Sequence, residues 1–128
     1  MRKVLIDTNI YSAFKLNNKA VIESFQKFDL IGIDVTVMAE LYSGFKLGSR
    51  EKINREEFEE FLNIPRVRLF GHDDSTADFY GNIFTDLRAN GKPIPTNDIW
   101  IAAVAKQQGL ALYTLDKHFE NISGLILI

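Results

Sequence analysis

The chain contains 128 residues, of which 46% are hydrophobic and 25% are charged, and it has no cysteine and only two histidines. This length fits one domain with a single hydrophobic core, which we place over residues 1–128. The composition excludes disulfides, thiolate nucleophiles and zinc or iron–sulfur sites built on cysteine. We therefore expect any bound metal to have oxygen ligands.

The balance of 15 basic and 17 acidic side chains gives a formal net charge of −2. This charge excludes a general electrostatic attraction to nucleic acid, although a local basic patch can still bind phosphates. The apolar runs are far shorter than the ~20 residues of a membrane helix, and the first residues fit a strand better than a signal peptide. We expect a cytoplasmic protein that does not associate with membranes.

Short apolar segments and helical patterns alternate along the chain. In chain order they predict a strand at 3–7, helices at 9–16 and 19–28, a strand at 30–34, helices at 36–47 and 50–63, a strand at 67–70, helices at 73–90 and 99–106, and strands at 110–113 and 125–128. Apolar strands linked by helices are typical of a parallel sheet with both faces covered. The pattern predicts an α/β fold, a three-layer α/β/α sandwich around a parallel sheet of about five strands.

Four acidic residues lie where such a fold binds ligands, beyond the carboxyl ends of its strands. Asp7 ends the first strand, and Glu40 lies about one turn inside the helix after the second strand. Asp98 begins an apolar helix, and Asp116 follows the fourth strand. Each alone has a structural explanation, such as helix capping, solvent exposure or a turn. Their recurrence at one edge of the sheet nevertheless predicts a shared site.

Carboxylates that face each other repel unless one is protonated or a cation binds between them. Mg²⁺ and Mn²⁺ prefer oxygen ligands, relieve this repulsion and support the attack of water on phosphorus. The chain lacks the GxxxxGK[ST] phosphate loop, which argues against nucleotide hydrolysis of the P-loop kind. Hydrolysis of a phosphodiester is the favoured chemistry.

Four sequence blocks also carry a resemblance to a known family: LIDTN at 5–9, AELYSG at 39–44, PTNDIWIAA at 95–103 and TLD at 114–116. In this order, and with nearly the whole chain covered, they resemble the PIN-domain family and in particular the VapC-type toxins of toxin–antitoxin pairs. The resemblance implies a Mg²⁺- or Mn²⁺-dependent endoribonuclease that leaves 5′-phosphate and 3′-hydroxyl ends. It also implies a catalytic metal site with two neighbouring polar residues: Asp7, Glu40, Asp98 and Asp116, with Thr114 and Asn9 beside them.

The same resemblance implies partners, namely an RNA substrate, a small VapB-type antitoxin that blocks the site, and a second copy of the chain in a homodimer. The RNA contacts are expected from residues beside the carboxylate blocks and in one mixed-charge run: Lys92, Lys117 and His118, then Lys46 and Arg50. The mixed-charge run, which also contains Glu51, Glu56 and Glu57, fits a solvated surface better than an RNA contact. Asp34 departs from the family pattern of a small or hydroxylated residue, and we expect it to cap the next helix with Thr36.

Three other interpretations stay open at this point. A PIN-type nuclease of RNA processing would have the same site without an antitoxin, and a neighbouring antitoxin gene would separate the two. An inactive PIN-like scaffold would be expected to have lost a carboxylate, and none of the four is missing. A receiver-like domain needs adjacent acidic residues after the first strand, where this chain has Ile6 before Asp7.

Overall fold

The computed structural model of the protein describes residues 2–128. Its strands are β1 (Lys3–Ile6), β2 (Leu30–Asp34), β3 (Val67–Phe70) and β4 (Ala111–Tyr113). They form one parallel sheet in the order β3-β2-β1-β4. The strands β1 and β2 are buried along nearly their whole length, as expected where helices cover both faces of a parallel sheet. The predicted α/β fold with a central parallel sheet is confirmed.

Helices connect the strands. Within residues 2–128 they are α1 (Thr8–Lys15), α2 (Lys19–Gln26), α3 (Val35–Leu47), α4 (Glu51–Leu62), α5 (Asp74–Ala89), α6 (Thr96–Gln108) and a 3₁₀ helix (Lys117–Asn121). None of these helices is both long and apolar enough to cross a membrane. The 3₁₀ helix was not predicted, and it follows Asp116 directly.

Buried contacts fix the two helices whose first turns border the predicted site. The helix α6 is apolar nearly all round, with Ile99 and residues 101–105 buried, and it packs against α5, α3 and β4. Tyr11 of α1 meets Phe58 and Phe61 of α4 edge to face, with ring centroids 5.2 Å apart in both pairs. Close packing of this kind leaves little freedom for rigid-body movement, so the starts of α1 and α6 are held in place.

The predicted strand at 125–128 is wrong as a full strand. The segment makes only an isolated parallel bridge, between Leu127 and Leu112. Its backbone bonds to β4 run through Leu112 alone, which donates to Ile126 at 2.8 Å and accepts from Ile128 at 3.1 Å. Ile126 and Ile128 are 65% and 45% exposed. Because these two side chains lie outside the core, little apolar surface would be buried by further pairing with β4. The strand pairing therefore stops after one bridge.

Candidate active site

The structure brings the four predicted carboxylates to one pocket at the carboxyl ends of β1 and β4. The pocket has a volume of about 130 Å³ and is lined by Asp7, Thr8, Asn9, Glu40, Asp98, Ile101 and Asp116. Three of the carboxylates come from chain segments that begin helices, and Glu40 comes from the second turn of α3. The topology therefore collects residues from the whole length of the chain at one edge of the sheet.

Asp7 is the most buried of the four carboxylates, at 5% exposure. Its Oδ1 accepts a hydrogen bond of 3.0 Å from the backbone N–H of Ile10 and so caps α1, while its Oδ2 accepts from the hydroxyl of Thr114. Burial raises the pKa of Asp7, the bonds from Thr114 and Ile10 oppose this rise, and the charges of Asp116 and Glu40 add to it. The capping explanation is thus correct for one oxygen, and Thr114 orients the other.

Glu40 is held by two residues that the sequence did not single out for this role. The hydroxyl of Thr8 donates to its Oε1 at 2.6 Å, and the side-chain amide of Asn97 lies 3.4 Å from its Oε2. Asn9 also lines the pocket, but its neighbour Thr8 makes the bond to Glu40. Thr8 directly follows Asp7 and Asn97 directly precedes Asp98. This proximity to predicted ligands was the only sequence signal for their role.

Asp98 and Asp116 lie together with His118. The imidazole Nδ1 of His118 is 3.4 Å from Oδ2 of Asp98 and 3.2 Å from Oδ1 of Asp116. Burial raises the pKa of Asp98; the contact with His118 opposes the rise, whereas the charges of Asp116 and Glu40 add to it. One donor atom from each of these three side chains lies within 4.8 Å of the others. Half-buried carboxylates at this spacing fit a divalent cation. A cation between them offsets the repulsion of their negative charges, so that both can stay ionised.

The predicted RNA-contacting residues differ in what surrounds their side chains. Lys92 and Lys117 are exposed, and Lys117 directly follows Asp116. The ammonium of Lys46 pairs with Glu51 at 3.0 Å on the surface between α3 and α4, and Arg50 occupies the position before α4. His118 faces the carboxylates rather than open solvent alone.

The expectation that Asp34 caps α3 through its side chain is wrong. Asp34 stands at the cap position without a capping side-chain bond, and it is completely buried. Its Oδ1 instead lies 2.7 Å from Nε2 of His72, whereas its Oδ2 is buried without a partner. The ring of His72 stacks on Trp100 at 4.5 Å with an interplanar angle of 11°. Through these two contacts, His72 joins Asp34 at the end of β2 to Trp100 of α6, the helix that carries Asp98.

Comparisons with known proteins agree with this fold and site. The family model described as PIN domain matches residues 4–125. A ribonuclease VapC2 of Haemophilus influenzae is 31% identical, with 98% of this chain and 96% of the relative covered. A tRNA(fMet)-specific endonuclease VapC of Shigella flexneri is also 31% identical, with the same 98% and 96% covered.

Among solved structures, a chain in the crystal structure of VapBC2 from Rickettsia felis bound to a DNA fragment from their promoter has a similar fold. Its TM-score is 0.88 at 26% identity, with 98% of this chain and 96% of that chain covered. The chain therefore belongs to the PIN domain family, in its VapC ribonuclease branch, which confirms the resemblance found in the four sequence blocks.

Proposed function

We propose that this protein is a metal-dependent endoribonuclease and the toxin of a VapBC-type pair, acting on RNA in the cytoplasm. The observation that carries the proposal is the convergence of four carboxylates in one pocket of a PIN domain. The relatives support an RNA-cleaving activity, since they are named ribonuclease and tRNA(fMet)-specific endonuclease. The similarity to a chain of a VapBC2 complex supports a VapB-type antitoxin as partner.

Asp7, Glu40, Asp98 and Asp116 would hold Mg²⁺ or Mn²⁺, which when bound acidifies a water molecule and neutralises charge on the scissile phosphate. The protein's own contribution is to position the carboxylates. Thr114 donates to Oδ2 of Asp7 and fixes its orientation, and Thr8 and Asn97 hold Glu40. A pocket carboxylate accepts the proton of the attacking water, the bond between phosphorus and the 3′ oxygen breaks, and this oxygen takes up a proton from solvent, which gives 5′-phosphate and 3′-hydroxyl ends.

RNA must be held by a chain whose net charge is negative. We propose Lys92 and Lys117 as phosphate contacts, because both are exposed. Lys117 directly follows Asp116, and Lys92 lies in the segment that leads into α6, six residues before Asp98. The ion pair with Glu51 makes Lys46 a weaker candidate. A homodimer would double this basic surface. If these lysines bind RNA phosphates, cleavage will weaken as the salt concentration rises, because bound lysines release counterions from RNA. Light scattering will give the oligomeric state.

The direct test is cleavage of total cellular RNA by the purified protein with Mg²⁺ or Mn²⁺. We expect discrete fragments with 5′-phosphate ends, and their loss with EDTA. The Asp98→Asn variant should lose at least about 100-fold in rate, the equivalent of the several kcal/mol that metal-assisted hydrolysis draws from its ion. Asp78→Asn, at an exposed position of α5, is the matched control and should cleave normally.

Fragments that persist in EDTA and in Asp98→Asn would overturn the proposal. Folded protein that cleaves no RNA with either ion would do the same and favour an inactive scaffold. Mapping the fragment ends will identify the RNA. Restored growth when a neighbouring antitoxin gene is expressed with the protein would separate a toxin from a nuclease of RNA processing.

A further inference from the structure

The imidazole of His118 is held beside two of the pocket carboxylates by the backbone that precedes it. Oδ1 of Asp116 accepts a 2.9 Å bond from the backbone N–H of His118, and Oγ1 of Thr114 accepts one of 2.9 Å from the N–H of Asp116. The next residue, Phe119, is buried at 1% exposure and anchors the 3₁₀ helix. The ring of His118 itself stays 52% exposed. It therefore borders the pocket from the solvent side.

We propose that Nδ1 of His118 is a ligand of the divalent cation, together with Asp98 and Asp116, so that the site has mixed nitrogen and oxygen ligands. This inference rests on the proposed metal dependence and goes beyond the four carboxylates. Nδ1 lies 3.2 and 3.4 Å from the two carboxylate oxygens. Adjacent ligand atoms on a small divalent ion are about 3 Å apart when each bond is about 2.1 Å. Little movement is needed to bring the three atoms onto one ion.

A protonated imidazole would also sit well between two carboxylates, and the two arrangements differ chemically. An imidazolium has a proton on both ring nitrogens and cannot ligate a metal, whereas a neutral imidazole has a lone pair on one nitrogen. As a ligand, His118 would favour ions that accept imidazole. Mg²⁺ prefers oxygen and keeps its water shell, while transition ions bind nitrogen readily. The site should therefore select Mn²⁺ over Mg²⁺ more strongly than an all-oxygen site does.

The test is electron spin echo envelope modulation of the Mn²⁺-loaded protein, which detects ¹⁴N bound to the ion independently of activity. We expect ¹⁴N modulation in the wild-type protein, its replacement by a ¹⁵N pattern after labelling with ¹⁵N-histidine, and its loss in His118→Asn. Lys117→Gln changes the preceding exposed residue and should keep the modulation. His72, the only other histidine, has its Nε2 committed to buried Asp34.

Calorimetric titration adds a second measurement. His118→Asn should weaken Mn²⁺ binding at least about tenfold, a loss typical of disturbing a metal's ligand environment, and should change Mg²⁺ binding much less. Mn²⁺ that binds wild-type protein without ¹⁴N modulation, alongside metal-dependent RNA cleavage, would overturn this inference and leave the proposed function standing. Wild-type protein that neither binds Mn²⁺ nor cleaves RNA with either ion would overturn both.

Discussion

The two histidines of the protein contact carboxylates in very different surroundings, and removing each histidine will show how burial sets the energy of such a contact. Asp34 and His72 lie 2.7 Å apart, with the side chain of Asp34 0% and that of His72 25% exposed. His118 contacts Asp98 and Asp116 with its side chain 52% exposed. We expect His72→Ala to destabilise the fold strongly and His118→Ala to change its stability little.

The expected magnitude follows from what His72 contacts. Its bond to the carboxylate of Asp34 is a hydrogen bond to a charged group, which contributes roughly 1.5–3 kcal/mol. Its stacking on Trp100 adds about 0.5–1.5 kcal/mol. Since Oδ2 of Asp34 is already without a hydrogen-bond partner, the variant would remove the partner that lies 2.7 Å from the other oxygen of this buried carboxylate. We therefore expect a loss of about 2–4 kcal/mol, a large part of the 5–15 kcal/mol that typically stabilises a domain. The surface control should stay within about 0.5–1 kcal/mol.

Urea unfolding at several pH values is the assay. Burial raises the pKa of Asp34, and Thr36 and His72 oppose the rise only in part. Removing His72 should raise this pKa further, so the folded variant binds a proton more readily than its unfolded chain does. The destabilisation should therefore be greatest above the raised pKa, where Asp34 is ionised, and should shrink as the pH falls through the raised pKa towards the ordinary range of aspartate.

A double-mutant cycle with Asp34→Asn completes this experiment. If the buried charge is the cause, His72→Ala should cost at least about 1 kcal/mol less in the Asp34→Asn background than in the wild type. Equal losses in both backgrounds, with no change between neutral and acidic pH, would refute the reasoning and leave only the stacking on Trp100. A loss in His118→Ala as large as that in His72→Ala would refute the role of burial.

Three further predictions use other features of the structure. Thr114→Val removes the hydroxyl that donates to Asp7 at the end of β1. Calorimetry should show Mn²⁺ binding weakened about 10–100-fold in this variant, whereas Thr114→Ser keeps the hydroxyl and should retain most of the affinity. Burial raises the pKa of Asp98, so Asp98→Asn should raise the melting temperature of metal-free protein by roughly 2–5 °C at neutral pH. This gain should disappear at low pH, where wild-type Asp98 is protonated. A melting temperature below that of the wild type at neutral pH would contradict the prediction. A Cβ at Gly32 would lie 2.8 Å from the ring of Phe70, so Gly32→Ala should cost about 1–3 kcal/mol in urea unfolding; Gly44→Ala, with nothing within 4 Å, is the control and should be neutral or stabilising.

Local signals in the sequence were sufficient for the order of the first four strands and the six α-helices, and for the four carboxylates. The strand β2 has the predicted bounds, and β3 matches residues 67–70. Asp7, Asp98 and Asp116 were predictable because each stands at a boundary between elements, where capping preferences and strand ends are visible in a few residues. Parallel topology then places strand ends at one edge of the sheet, so the shared pocket followed from the pattern without knowledge of any contact.

Tertiary structure alone decided which carboxylate each neighbouring polar group contacts. Thr114 and His118 were named from the sequence, the first beside the site and the second as an RNA contact, but their contacts with individual carboxylates were not predicted. The bond from Thr114 to Asp7 spans 107 residues of chain and that from Asn97 to Glu40 spans 57. His72 reaches Asp34 across 38 residues. The position of His118 depends on a 3₁₀ turn too short to show a periodic pattern. The loss of the fifth strand has the same origin, because pairing at a sheet edge depends on what else covers that edge. Such contacts are set by side-chain direction and packing between distant segments, which hydrophobic periodicity does not encode.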